Sequence, residues 1–314
     1  MIDAAKFFAN PAASMTIKTR NRLIVLFILA FPFVILFGFL ASQVVGPLPP
    51  IQPLPNPNGY DDFVKAGKMT ASNTSDFDKM NEQELQTLVD GNSNALQLVR
   101  SGLRMQCRVA LDYSPNSSTL LDQLAGMKRL AQAFAAEGRL AEMGNRPGAA
   151  AKSYLDAIHF GNESVRGGVL INELVGIAIE ANATSHLTNL VERLDAKSCR
   201  ETAATLEALD SQRQTWNEFM QQENDWSHRA FTGVRNEIAR LMARKSLLPA
   251  QAAAGRKWKQ QQIKTRQLII DFAARAYELD KGKPPVSVAD LVPDYLKAIP
   301  QDPFTGTNMV YSPR

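Results

Sequence analysis

Between Arg22 and Asp61 the sequence carries no charged residue. The first part of that interval, 23–45, is a run of 23 residues, mostly Leu, Ile, Val, Phe and Ala. A helix needs about 20 such residues to cross the hydrocarbon core of a bilayer. Core helices of globular proteins are rarely so uniformly apolar, and secretory h-regions are shorter, about 7–15 residues. The run therefore predicts an uncleaved transmembrane helix over 23–45. Pro32 lies mid-run, a position that lipid-buried helices tolerate. Ala41 before Ser42 is the alternative, a cleavage point that would free the remainder.

Lys6, Lys18, Arg20 and Arg22 precede the run, and the first charges after it are Asp61 and Asp62. Basic flanks stay on the cytoplasmic side. The expected location is thus the cell (inner) membrane, single-pass, with residues 1–22 a basic cytoplasmic N-terminus and all after 45 outside. Of the net charge of +4, residues 1–60 carry +3, so the pI near 9.0 is partly a property of the N-terminus. It does not argue for nucleic acid, which the expected topology also disfavours. Residues 46–60 hold six prolines, Pro47, Pro49, Pro50, Pro53, Pro55 and Pro57. At that density neither a packed helix nor an interior strand forms. Polyproline II is favoured, and Pro47 to Pro57 would span roughly 30 Å as a semi-rigid stalk.

From 61 onward the pattern is helical, and the fold class expected is mainly α: an irregular helical bundle over 61–281, then a short extended tail over 282–314. Asn58-Gly59 reads as a turn leading into a small helix. Asn81 with Glu84 opens the next as a capping box, and Gly91 is its candidate break. From Thr119, Leu120, Leu124, Met127, Leu130 and Phe134 keep a helical period. Pro147 suits the start of the following helix. Asp195 is read as the cap of one long helix to about Phe231, followed by a separate helix over 233–245 and a last one over 261–280. NMVYS near the C-terminus reads as a strand. Cys107 and Cys199 have no metal-ligand spacing. Two separate buried thiols are the simpler reading, with pairing in an oxidising compartment the alternative.

Two local patterns carry family resemblances. FAAEGRLAEMGNRPGAAAKSYLDAI resembles a single tetratricopeptide-type hairpin. Phe134 stands at its opening aromatic position and Gly138 where the helices cross, with Ala150, Tyr154 and Ala157 on the second helix. Glu137, Ala141 and Asn162 replace the usual Leu, Tyr and Pro, and the pattern does not recur one period on. The resemblance implies one repeat-like hairpin inside a bundle, since stable arrays need about three repeats. The segment AYELDKGKPPVSVADLVPDYLKAIPQDPFTGTNMVY resembles the end of type II secretion major pseudopilins. The matching residues include Gly282, Pro285, Pro300, Asp302, Pro303, Gly306 and Tyr311. It implies an accessory role in such a machine. The N-terminus lacks the short leader and the early Glu of that family. As a whole, anchor, stalk, bundle and tail resemble bacterial single-pass membrane-anchored proteins of unassigned function.

Chemistry-bearing patterns are sparse. Glu218, Asp225 and His228 share a helical stretch and form the one candidate hydrolytic or metal cluster; solvated pairing on a polar face is the plainer reading. Gly167-Gly168 lacks the strand and the Lys of a phosphate loop, and no serine sits in a nucleophile elbow. No cofactor is implied. Residues 229–266 hold ten basic side chains against Glu237 alone. Arg235, Arg240, Arg244, Lys245, Arg256, Lys257 and Lys259 are therefore the candidate interaction face for an anionic envelope component or an acidic protein. The function expected is a membrane-anchored interaction or scaffold protein without intrinsic catalysis.

Overall fold

The computed structural model describes residues 50–70, 77–113, 119–231 and 234–311, with the side chains of 78 and 234–246 excepted. The expected span over 23–45 and the first part of the stalk lie outside the described residues. Among the described residues no helix is long and apolar enough to cross a membrane.

The described chain is a helical bundle of eight α-helices. They are α1 (Gly59–Met69), α2 (Glu82–Gly102), α3 (Thr119–Met143), α4 (Pro147–Glu163), α5 (Leu170–Thr188), α6 (Ala196–Ser211), α7 (Trp216–Ala230) and α8 (Val234–Lys281). Consecutive helices from α1 to α5 pack on one another, and α6 lies along α8 in the most extensive contact of the bundle. The core runs through both halves. Phe63, Phe134 and Phe160 meet at its centre with ring centroids 5.2 and 6.1 Å apart. Each such fully buried ring contributes about 1.5–3 kcal/mol.

Local chemistry explains the boundaries. Asn58 caps α1 by accepting from the Tyr60 N–H. Asn81 and Glu84 form the expected capping box at α2. Gly91 does not break α2; it sits exposed mid-helix. A helical glycine costs only about 1 kcal/mol, less than burying Leu85, Leu96 and Val99 returns. The helix expected from 195 to 231 is two helices. Asp195 caps α6, but the chain leaves it at 212–214, where the buried Arg213 guanidinium turns into Glu180 on α5. Thr215 and Glu218 then form a new capping box that opens α7. Conversely, the helices expected over 233–245 and 261–280 are one, α8, with Pro249 inside it. At 1.5 Å per residue it is about 72 Å long. A single proline removes one backbone hydrogen bond, and the alanine-rich stretch after it favours helix enough to continue.

The Pro-rich run is shorter as a spacer than its sequence suggests. Asn58, Gly59 and Tyr60 are buried in the bundle, so the body begins at 58 rather than 61. Pro50, Ile51, Gln52 and Leu54 lie beside the connection between α2 and α3. Residues 308–311, the described part of NMVYS, do not form a strand. Its first residue, Asn308, forms one isolated bridge with Gln301.

Ion pairs bind the helices to one another. Arg100 on α2 reaches Glu137 on α3 and Asp156 on α4, and the Ser153 hydroxyl donates to Glu137 at 2.6 Å. Glu137, unusual for a tetratricopeptide-type hairpin, is thereby the hub of three helices. In the other half Glu180 accepts from Arg213 and from the Thr265 hydroxyl, while Asp210 pairs with Arg266.

Candidate functional site

Three stretches of irregular chain meet at one end of the bundle: the incoming segment 50–58, the connection 103–113, and the turn 164–168 between α4 and α5. Asn58 brackets the backbone of one residue of the connection. Its Nδ2 donates to the Arg108 carbonyl at 2.9 Å, and the Arg108 N–H donates to its Oδ1 at 2.9 Å. The Gly59 N–H donates to the Gln106 carbonyl, and the Val109 N–H to the Arg166 carbonyl, both at 2.9 Å. The Gly167 N–H donates to Gln214 Oε1 at 3.0 Å. Gly167 has φ +71°, and a Cβ there would lie 3.0 Å from Arg108 Cγ. Only glycine combines that backbone with room for the arginine stem.

α7 closes the other side. The Trp226 indole donates to the Asp112 carbonyl at 2.8 Å, and the Arg229 guanidinium lies over the Tyr113 ring. The Glu223 carboxylate accepts from the Leu170 N–H at 2.7 Å; burial nonetheless holds its pKa above the usual carboxylate range. Between these walls lie two cavities of about 120 and 230 Å³, and a third of about 510 Å³ opens between the connection and α4. Arg108 lines all three. Its guanidinium has no hydrogen-bond or ion-pair partner among the described residues. Asp225 lines two of them and also has no partner among the described residues. Arg166, by contrast, is held by both oxygens of Glu163 and donates to the Gln212 carbonyl at 2.9 Å.

The residues singled out in the sequence fall in several places. Of the candidate cluster, Asp225 lines the cleft. Glu218 is taken up as the cap of α7, where the Thr215 N–H and hydroxyl donate to it and hold its pKa low. Among the described residues no group of three or more His, Cys, Asp or Glu is arranged to hold a metal. Cys107 and His159 line the largest of the three cavities. Burial pushes the Cys107 thiol up to about 12 and lowers the His159 pKa, disfavouring the charged form of both. Cys107 and Cys199 are separate buried free thiols.

The candidate basic face falls on α8 and is only partly described. Arg235, Arg240, Arg244 and Lys245 have side chains outside the described residues. Arg256 and Lys257 are exposed, Lys259 lies 5.2 Å over the Phe304 ring, and Arg266 is engaged with Asp210. At about 100° per residue, positions 256 and 259 lie about 60° apart on one side of α8, and 257 is turned away from both. Of the hairpin residues, Phe134, Ala150, Tyr154 and Ala157 are buried where α3 meets α4, and a Cβ on Gly138 would lie 2.4 Å from the Tyr154 ring. In the tail, Gly282 and Gly306 take φ of +70° and +73°. Asp302 accepts from the Phe304 and Thr305 N–H groups, and its own N–H donates to the Thr307 carbonyl. Met309 donates to the Pro300 carbonyl, Pro285 is buried, Pro303 is part-buried in the turn, and Tyr311 packs on the core.

Arg108 was missed in the sequence because nothing local marks it. Its place depends on Asn58, fifty residues earlier, and on Gly167, fifty-nine later. The arrangement defines a helical bundle with a polar cleft at one end, suited to binding a charged ligand. No protein-family model, curated protein or solved structure matches the chain.

Proposed function

We propose that this is a single-pass membrane-anchored helical binding module, held outside the cytoplasm and acting by contact rather than by turnover. The observation that carries it is the charge-free run over 23–45, which leads through a Pro-rich segment into the helical body. Val45 and Asn58, where the body begins, are thirteen residues apart, so at most about 45 Å of chain separates the end of the span from the body. The bilayer is the first partner. An acidic protein or an anionic envelope polymer is the second, met through 229–266, where Arg256 and Lys257 are exposed.

A second reading is an accessory of a pseudopilin-like machine. The Asp302-centred turn and the buried Tyr295 and Leu296, which give the tail a defined shape, favour it. The hydrolase reading around His228 is weakened, because Glu218 serves its own helix.

Protease added to intact spheroplasts tests the topology. The C-terminal body should be cut, and the mature chain should begin well before Ser42. Protection of the body, or a mature N-terminus near Ser42, would overturn the anchored reading. Cross-linking in cells then tests the basic run: reversing Arg235, Arg240 and Arg244 to Glu should change the captured partners. Co-purification with secretion machinery that depends on 282–311 would instead establish the second reading.

A further inference from the structure

Arg108 and Asp225 carry opposite charges, line the same two cavities, and form no ion pair with each other or with any other described residue. We infer that the cleft is a binding site for a zwitterion, with an oxyanion group on Arg108 and an ammonium group on Asp225. A guanidinium is a planar fork that pairs two of its N–H groups with a phosphate or carboxylate. A carboxylate accepts from an ammonium. The two charges line one cleft without pairing, and a ligand with both signs satisfies both ends at once. The amides of Gln52 and Gln222 line the same two cavities and add donors and acceptors. Ile51 and Leu54 give one wall an apolar surface for the ligand's body.

The arginine end is preorganised. The Arg108 peptide is fixed on both sides by Asn58, and its stem lies against Gly167. Less freedom is lost when a ligand binds a fork already in place. Two sources present this chemistry: a soluble zwitterion, and the phosphoethanolamine headgroup of a membrane lipid. Only the lipid source rests on the anchored reading.

The probe is glycerophosphoethanolamine, titrated calorimetrically into the full-length protein held in phosphatidylcholine nanodiscs. Saturable binding is expected. Arg108→Gln and Asp225→Asn should each weaken it about tenfold or more, the effect of losing one charged hydrogen bond. Glycerol phosphate, which lacks the ammonium, should bind Asp225→Asn and the unaltered protein alike. Absence of saturable binding, or unchanged affinity in both variants, overturns the inference. Nanodiscs containing phosphatidylethanolamine separate the sources. If they compete with the free probe, the lipid is the ligand; if the probe binds equally well in both, the site stands and its ligand is soluble. Protein that will not enter nanodiscs refutes the anchored reading and with it the lipid source, while probe binding in solution still decides the site. Should a variant fail to fold, hydrogen exchange on the unaltered protein replaces it. Residues 106–113 and 216–230 should exchange more slowly with the probe bound, and no slowing overturns the inference.

Discussion

Replacing Glu173 by Gln should stabilise the protein above pH 7 and leave it unchanged near pH 4. Glu173 lies in the first turn of α5 and is 6% exposed. Burial pushes its carboxyl from 4.5 to about 7, and Glu180 adds to the rise; Arg213 and a hydrogen bond from the Trp258 indole oppose it without cancelling it. Between those values the folded chain holds a proton that the unfolded chain has released. Stability therefore falls as pH rises from about 4.5 to 7, and the full loss persists above. A shift of this size corresponds to about 3 kcal/mol. Gln keeps the shape and cannot ionise, so the variant escapes that loss. Arg213 retains Glu180 and Asp210. The assay is urea unfolding of both proteins across a pH series, followed by tryptophan fluorescence, since Trp258 contacts the site. The difference should grow from near zero in acid to about 3 kcal/mol in base. If the variant is the less stable one above pH 7, attraction to Arg213 outweighs burial, and the reasoning is wrong.

Gly138→Ala should destabilise by about 1–3 kcal/mol, read as a lower urea midpoint. The new methyl meets a Tyr154 ring that cannot retreat, because it is fully buried, stacked on His186, and bonded through its hydroxyl to Glu142 at 2.7 Å. An unchanged midpoint would show that α3 and α4 separate freely. Asn58→Ala removes the α1 cap and both bonds to the Arg108 peptide, and should cost about 2–4 kcal/mol. It should also speed hydrogen exchange at 106–109, and equal exchange would refute the proposed anchoring. The Cys107 and Cys199 thiols, both pushed up to about 12 by burial, should resist iodoacetamide at pH 8 in the folded protein and react fully in denaturant. Mass spectrometry scores this, and rapid alkylation of the folded chain would contradict their burial.

The sequence by itself determined whatever depends on neighbours within a few turns. The mainly helical class followed from the 3.6-residue period. The caps at Asn81 and Asp195, and the start of α4 at Pro147, followed from side chains meeting backbone groups three residues away. The Thr215 and Glu218 capping box is equally local, but it lies inside the stretch that the helical period reads as one helix from 195 to about 231. The tertiary structure alone decided what depends on partners far along the chain. α6 ends where it does because Arg213 pairs with Glu180 from another helix. Gly91 stays helical because the core holds the residues around it. Glu137 occupies an apolar position because Arg100 and Ser153 surround it. The cleft is the extreme case, since Arg108, Asn58, Gly167 and Asp225 come from four separated segments. Their juxtaposition is a consequence of packing, and packing energy is a sum over distant pairs that no local window contains.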